Sequence, residues 1–231
     1  VSEGAACFVW GSEQLWLLPE RAAWLPDART LLLADLHLGK AETFQAHGIP
    51  LPSDGDAGTL NVLLALAAQW RPAQVLVLGD LIHGRLGLTV ELRQKLAALP
   101  ELLGSPLRLV GGNHERGSWI EGLPCLPSLA LGSLWLSHEP ERRQGHLNVC
   151  GHRHPVAVVG QGGERLRLPC FAYDEGAERL SLPSFGELTG GHPCDAAESV
   201  WLVAEGRVVP WGRVAEPVSR RRRGPAPRRR G

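Results

Sequence analysis

No apolar run in this chain approaches the roughly 20 residues a helix needs to cross a bilayer, so a membrane-spanning protein is not expected. A basic start is missing too. Residues 1–18 hold Glu3 and Glu13 and no uninterrupted apolar core, so they do not read as a signal peptide, and a cytoplasmic location is expected. The five cysteines, Cys7, Cys125, Cys150, Cys170 and Cys194, are odd in number, widely spaced and without a CxxC pair. That is the pattern of reduced core thiols. Compositional bias is also lacking: hydrophobic residues at 44% and charged residues at 21% are ordinary globular usage, which sets aside collagen-like and disordered classes. There is no internal repeat.

Lysine is scarce, two against 22 arginines, and the net charge is zero. The zero hides an asymmetry. Residues 219–231 hold seven arginines and no acid, which leaves 17 basic against 24 acidic residues, a balance of −7, for residues 1–218. With Gly224, Pro225 and Pro227 the tail cannot pack a core and is expected to be disordered. Its functional reading is a contact to phosphate backbones; its bland reading is an arginine-rich extension of no consequence. Residues 1–218 are expected to form a single domain.

Residues 7–10, 15–18 and 22–25 are short apolar segments parted by Gly11-Ser12 and Pro19, the pattern of a strand meander. Thr30-Leu31-Leu32-Leu33-Ala34 then reads as a buried parallel strand. Residues 41–47 suggest a short helix, which Gly48-Ile49-Pro50-Leu51-Pro52 breaks. Ser53-Asp54 opens a second helix that runs to about Trp70, with Leu60, Leu63, Leu64 and Ala67 on one face. Strands are expected at 74–78, 107–110, 134–137 and 147–150, and a helix over 89–99. Beyond residue 155 short strands divided by glycine and proline suggest an antiparallel half. Together these predict an α/β fold, a four-layer αββα sandwich of two mixed β-sheets.

The chemistry gathers where the apolar strands end. Asp35 and His37 follow the first of them, Asp80 the second, Asn113 and His114 the third, His138 the fourth, and His152 and His154 the fifth. In an extended chain residues two apart face the same side, so Asp35 and His37 can share one ion. Each residue alone is unremarkable, but ligand types at five successive strand ends form a joint signal, because open α/β sheets place ligands beyond the carboxyl ends of their strands. Two carboxylates, an amide oxygen and four imidazoles suffice for two divalent ions, with Asp80 the natural bridge and His114 held back for chemistry. Such a pair clamps a phosphate and lowers the pKa of a shared water toward neutrality, supplying a hydroxide. Gly79, Gly112 and Gly151 precede ligands, where backbone is expected to approach ions and phosphate closely.

Asp35-Leu36-His37, Gly79-Asp80, Gly112-Asn113-His114-Glu115, His138 and Gly151-His152-Arg153-His154 resemble the motifs of the calcineurin-like metallophosphoesterase superfamily. The resemblance implies the metallo-dependent phosphatase fold. It implies one ion on Asp35, His37 and His154, a second on Asn113, His138 and His152, and Asp80 bridging them. It also implies that His114 contacts the phosphate and protonates the leaving oxygen, which suits an imidazole near neutral pH. A closer likeness covers nearly the whole chain. Ala34-Asp35-Leu36-His37-Leu38-Gly39-Lys40-Ala41, Gly48-Ile49-Pro50-Leu51-Pro52, Leu78-Gly79-Asp80-Leu81-Ile82-His83, Ser137-His138-Glu139-Pro140 and Leu182-Pro183-Ser184-Phe185-Gly186 resemble the DNA ligase-associated metallophosphoesterases, bacterial DNA-damage-response endonucleases. That likeness implies phosphodiester cleavage in DNA and manganese as the ion, with iron, zinc or cobalt as alternatives. The partners it implies are a DNA ligase, a helicase and an exonuclease.

One departure is informative. Protein phosphatases of the superfamily carry Asp three residues after the bridging Asp, where it orients the acid His. Here His83 stands in that place, as in double-strand-break repair nucleases of the superfamily, which favours a diesterase and makes His83 a candidate catalytic residue. How His114 is oriented stays open. Lys40 and Arg116, near ligands in sequence, are candidates to meet non-bridging phosphate oxygens. Glu115 is a candidate to support a ligand as a hydrogen-bond acceptor. His47, His146 and His192 match no motif and read as structural. The expected function is a dinuclear-metal phosphodiesterase acting on DNA; a diesterase for small substrates such as cyclic nucleotides and a metal-stabilised nucleic-acid-binding scaffold are the competing readings.

Overall fold

The computed structural model describes residues 3–52, 55–115, 122–160 and 165–213. Arg116, the Ser53-Asp54 helix start and the tail at 219–231 lie outside them.

The opening meander forms as expected: β1 (Ala6–Trp10), β2 (Glu13–Leu17), β3 (Ala23–Leu25) and β4 (Thr30–Leu33) pair antiparallel in sequence order. β4 then pairs parallel with β5 (Gln74–Leu78), β5 with β6 (Leu107–Val110), and β6 with β7 (Cys125–Leu126). The Thr30 strand is therefore parallel on one side only. Its other neighbour is β3, because the short connections of the meander return the chain antiparallel.

Strand periodicity divides the side chains between two cores. A short helix α1 (Lys40–Ala46) follows the Asp35-His37 loop, and Leu31, Leu33, Val75, Val77, Leu107 and Leu109 face outward and pack under α2 (Gly55–Trp70) and α3 (Val90–Leu103) through Leu63, Leu66, Leu92, Leu96 and Leu99. Leu32, Ala34, Leu76, Leu78 and Val110 face inward, against a second sheet. α3 runs past the expected end at Leu99. Burial of Leu99 and Leu103 outweighs the single backbone bond that Pro100 cannot make, and Gly104, at φ 62°, closes the helix.

The second sheet holds β8 (Leu129–Leu131), β9 (Leu134–Ser137), β10 (Leu147–Cys150), β11 (Pro155–Val159), β12 (Leu166–Asp174), β13 (Arg179–Ser181), β14 (His192–Pro193), β15 (Ser199–Ala204) and β16 (Arg207–Arg213). β9, β10 and β13 are parallel, and most of the remainder is antiparallel, so both sheets are mixed. Leu134, Leu136, Leu147, Val149, Phe171 and Leu180 close the core between the sheets. The outer face of this second sheet carries a small cluster of Ala157, Cys170, Ala172, Val200 and Leu202, into which no helical residue enters. The chain thus forms the expected α/β sandwich of two mixed sheets. Only Cys150 and Cys170 are the core thiols anticipated; Cys7 and Cys125 are exposed. No helix among the described residues is long and apolar enough to cross a membrane.

Candidate metal centre

β4, β5, β6, β9 and β10 all deliver their carboxyl ends to one edge of the sandwich, which is what brings the sequence-distant candidates together. The local backbone differs from the expected extended form. Asp35 (φ 56°), His37 (φ 50°), Asp80 (φ 48°), His152 (φ 63°) and His154 (φ 43°) all occupy the left-handed region. Asp and His tolerate it better than most residues, at about 1–3 kcal/mol each, provided the surroundings hold them. Asp35 N–H donates to Gly79 O at 3.1 Å, and His37 N–H to Asp80 O at 2.9 Å. Ser184 Oγ and Gly186 N–H both donate to the Asp35 carbonyl, at 2.8 and 3.1 Å. Curled backbone, rather than strand alternation, puts Asp35 and His37 in one site, and Ser184 and Gly186 are there to brace it.

Two clusters of donor atoms result. In one, His154 Nε2 lies 3.3 Å from Asp35 Oδ1 and 3.5 Å from His37 Nε2. In the other, His138 Nε2 lies 2.9 Å from Asn113 Oδ1, 3.1 Å from His152 Nδ1 and 3.6 Å from Asp80 Oδ2. Asp80 Oδ2 is also 3.8 Å from His37 Nε2, so this one oxygen stands between the clusters. Donors bound at about 2.0–2.2 Å to a shared ion sit about 2.8–3.6 Å apart in octahedral or tetrahedral arrangement, the spacing seen within each cluster, with the link from Asp80 to His37 slightly longer at 3.8 Å.

The ring nitrogens turned away from the clusters have partners. His138 Nδ1 faces Leu78 O at 3.0 Å, His154 Nδ1 faces Gly190 O at 3.1 Å, and His37 Nδ1 faces His83 Nδ1 at 3.3 Å. A carbonyl requires a proton on the nitrogen it faces, so in the neutral ring Nε2 of His138 and His154 is the lone pair aimed inward. Burial lowers His154, but the hydrogen bond and charge of Asp35 outweigh it and hold that ring above its ordinary value, a proton that a bound cation would displace. Burial, reinforced by His154, His114, His83 and Lys40, depresses His37 to about 2, so that ring is neutral. Asp35 and Asp80 are 0% and 2% exposed. Among the described residues no lysine or arginine pairs with either. Buried carboxylates surrounded by inward lone pairs want a cation, and the donor set suits divalent ions.

Glu115 acts on backbone. Its Oε2 accepts from Asp80 N–H at 3.0 Å and Gly112 N–H at 2.8 Å, and its Oε1 from Ile82 N–H at 3.2 Å, tying the β5 and β6 loops together. Burial pushes its carboxyl up despite these bonds, and pushes Asp80 up as well. A Cβ on Gly79, at φ 81°, would strike the His138 ring, and one on Gly112 would strike the Asp80 carboxylate. The close approach that excludes side chains there is thus made by protein donors.

His114 sits at the edge of this set. Its Nε2 is 3.8 Å from Asp80 Oδ2, its backbone N–H donates to Asp80 Oδ1 at 3.1 Å, and its Nδ1 bonds the carbonyl of His83. His83 therefore orients His114 by its backbone, while its ring stacks on His114 with centroids 5.1 Å apart and on Phe44 at 5.7 Å. Burial, then Lys40 and His114, lower His83 to about 4. Lys40 is half-buried beside these rings, and its ammonium donates to Leu188 O at 2.8 Å. His47, His146 and His192 belong to neither cluster. The carbonyls of Leu78, His83 and Gly190 had no signal in the sequence, since every residue type offers the same carbonyl.

A family model of calcineurin-like phosphoesterases matches residues 28–189. Among solved structures, the nuclease MPE of Pseudomonas putida is 31% identical, with a TM-score of 0.73 over 89% of this chain and 99% of that one. The E. coli phosphoesterase Yfce is 18% identical, with a TM-score of 0.43 over 80% of this chain and 99% of its own. Vps29 of Entamoeba histolytica, as a double mutant, is 15% identical, with a TM-score of 0.36 over 78% and 94%. None of the curated proteins matches significantly. On the family match, the strand-end donor clusters and the nuclease likeness, the chain belongs to the calcineurin-like phosphoesterase family and is a metal-dependent phosphoesterase.

Proposed function

We propose that this phosphoesterase is a nuclease that hydrolyses phosphodiesters in DNA. The observation that carries the reading is Asp80 Oδ2, placed between two donor clusters with His114 Nε2 3.8 Å away. Asp35, His37 and His154 would hold one divalent ion, Asn113, His138 and His152 a second, and Asp80 both. Bound there, the ions polarise the phosphoryl group and lower the pKa of water. Manganese fits the mixed oxygen and imidazole donors.

His114 is the general acid. Its Nδ1 keeps a proton on the His83 carbonyl, so Nε2, facing the site, is the atom that gains and loses the transferred proton. His83 holds the ring of His114 by stacking and holds His37 through Nδ1. Lys40 and Arg116 are assigned to non-bridging phosphate oxygens. Nucleic acid as substrate is supported by the likeness to the Pseudomonas putida nuclease; a DNA ligase, a helicase and an exonuclease are the partners the sequence resemblance implies.

The test is hydrolysis of a circular single-stranded DNA and of bis-para-nitrophenyl phosphate with manganese, comparing the wild type with His114→Ala and Asp80→Asn. Nicking of the circle that both variants lose is the expected result. Turnover of the small diester alone would move the reading to small substrates, and metal binding without any turnover would move it to a scaffold.

A further inference from the structure

Arg153 separates the two histidines that serve different clusters, yet its side chain leaves the site. Its guanidinium reaches both oxygens of Glu198, with Nη2 at 3.4 Å from Oε2 and Nη1 in close contact with Oε1, and it also meets Asp195 Oδ2 at 3.3 Å. Glu198 is 1% exposed. It is held in turn by Arg179 Nη2 at 3.5 Å and accepts from Asp195 N–H at 2.9 Å. A carboxylate this buried between two guanidinium groups is a built anchor rather than a surface ion pair.

What it anchors is a short loop with one internal backbone bond, Arg153 N–H to Gly151 O at 2.7 Å. His152 and His154 are both in the left-handed region, and Arg153 is the residue between them. Among the described residues, the loop is further fixed by His152 N–H on the Asp35 carboxylate, at 2.9 Å from Oδ2, by Arg153 Nη1 on Ser181 Oγ at 3.5 Å, and by His154 through Gly190 O and His192 N–H. We infer that Glu198 is a positioning residue for the metal centre, setting His152 and His154 together through its grip on Arg153. This rests on the reading of those histidines as ligands of two ions.

The segment follows the same logic. β14 pairs with β11, Gly190 orients His154, and Asp195 and Glu198 take Arg153, so residues 190–198 brace the loop from outside the site. Removing the Glu198 charge leaves Arg153 to the exposed Asp195 carboxylate and to Ser181 Oγ, a weaker hold that loosens both histidines at once. A change at one ligand alone would weaken one ion site.

The experiment is a manganese titration of the full chain, read by electron paramagnetic resonance and calorimetry, on the wild type, Glu198→Gln and Glu198→Asp, with thermal unfolding in chelator alongside. The expected result is two sites in the wild type, both weakened about 10-fold in Glu198→Gln, the usual scale for losing an outer partner of a ligand, and partly restored in Glu198→Asp. Two sites of unchanged affinity in Glu198→Gln, with only the chelator melting point lowered, would overturn the inference, as would weakening of a single site. A wild type that binds no divalent ion would instead overturn the metal reading itself. Should Glu198→Gln fail to fold, Arg153→Lys, which keeps the charge but cannot make the two-pronged contact, faces the same outcomes.

Discussion

Replacing Glu115 by alanine removes the acceptor of three backbone N–H groups, those of Asp80, Ile82 and Gly112. Glu115 is 8% exposed, so water does not freely replace it. Each buried donor left without a partner costs about 1–3 kcal/mol. The three share one carboxylate and are not additive, and removing a buried charge whose carboxyl is pushed up returns part of the loss. A net destabilisation of about 3–5 kcal/mol is expected, at the top of the range for single substitutions. Glu115→Gln should cost about 1–3 kcal/mol: the amide oxygen can take the Asp80 and Gly112 donors, but the amide nitrogen then faces the Ile82 N–H. The assay is urea unfolding in chelator, paired with a manganese titration. The loop that Glu115 ties carries Asp80 and leads into Asn113, so both ion affinities should fall with stability. An alanine variant within about 0.5 kcal/mol of the wild type would refute the view that Glu115 holds these loops together.

His37, depressed to about 2 from an unfolded value of 6.5, stays neutral in the fold while the unfolded chain protonates. Its contribution is therefore present above pH 6.5 and lost as pH falls, by up to about 1.4 kcal/mol per pH unit. Asp80 and Glu115, both raised, act in the opposite sense. The metal-free difference between wild type and His37→Gln, followed by chemical unfolding from pH 8 to 5, isolates the histidine and should shrink as pH drops. Asp80→Asn removes the shared oxygen, and turnover should fall by about 1000-fold or more, since such charge stabilisation is worth several kcal/mol; steady-state hydrolysis with manganese reads it. His114→Ala should lose about 100-fold to 10,000-fold on DNA but much less on bis-para-nitrophenyl phosphate, whose leaving group departs without a proton. Manganese at about 100 times its Kd should stabilise the fold by about 2.7 kcal/mol for each site filled, and chelator should reverse the shift in melting temperature.

What the sequence determined by itself was the inventory. Asp35, His37, Asp80, Asn113, His114, His138, His152 and His154 follow apolar strands, and parallel strands must deliver their carboxyl ends to one edge, so this set was legible without coordinates. The two-sheet α/β architecture was legible for the same reason, since periodicity marks which face of each strand is apolar. Geometry within the site was not. Left-handed backbone at five of those residues follows from how the loops cross, and an extended reading of Asp35 and His37 misplaces its cause. The groups that orient the imidazoles are the carbonyls of Leu78, His83 and Gly190, which any residue could supply. Glu198, 44 residues beyond His154, reaches the histidine loop because β14 returns beside β11 and β15 pairs with β12. Contacts made by backbone atoms, or by charges brought together through strand pairing, leave no residue pattern; only the tertiary structure decided them.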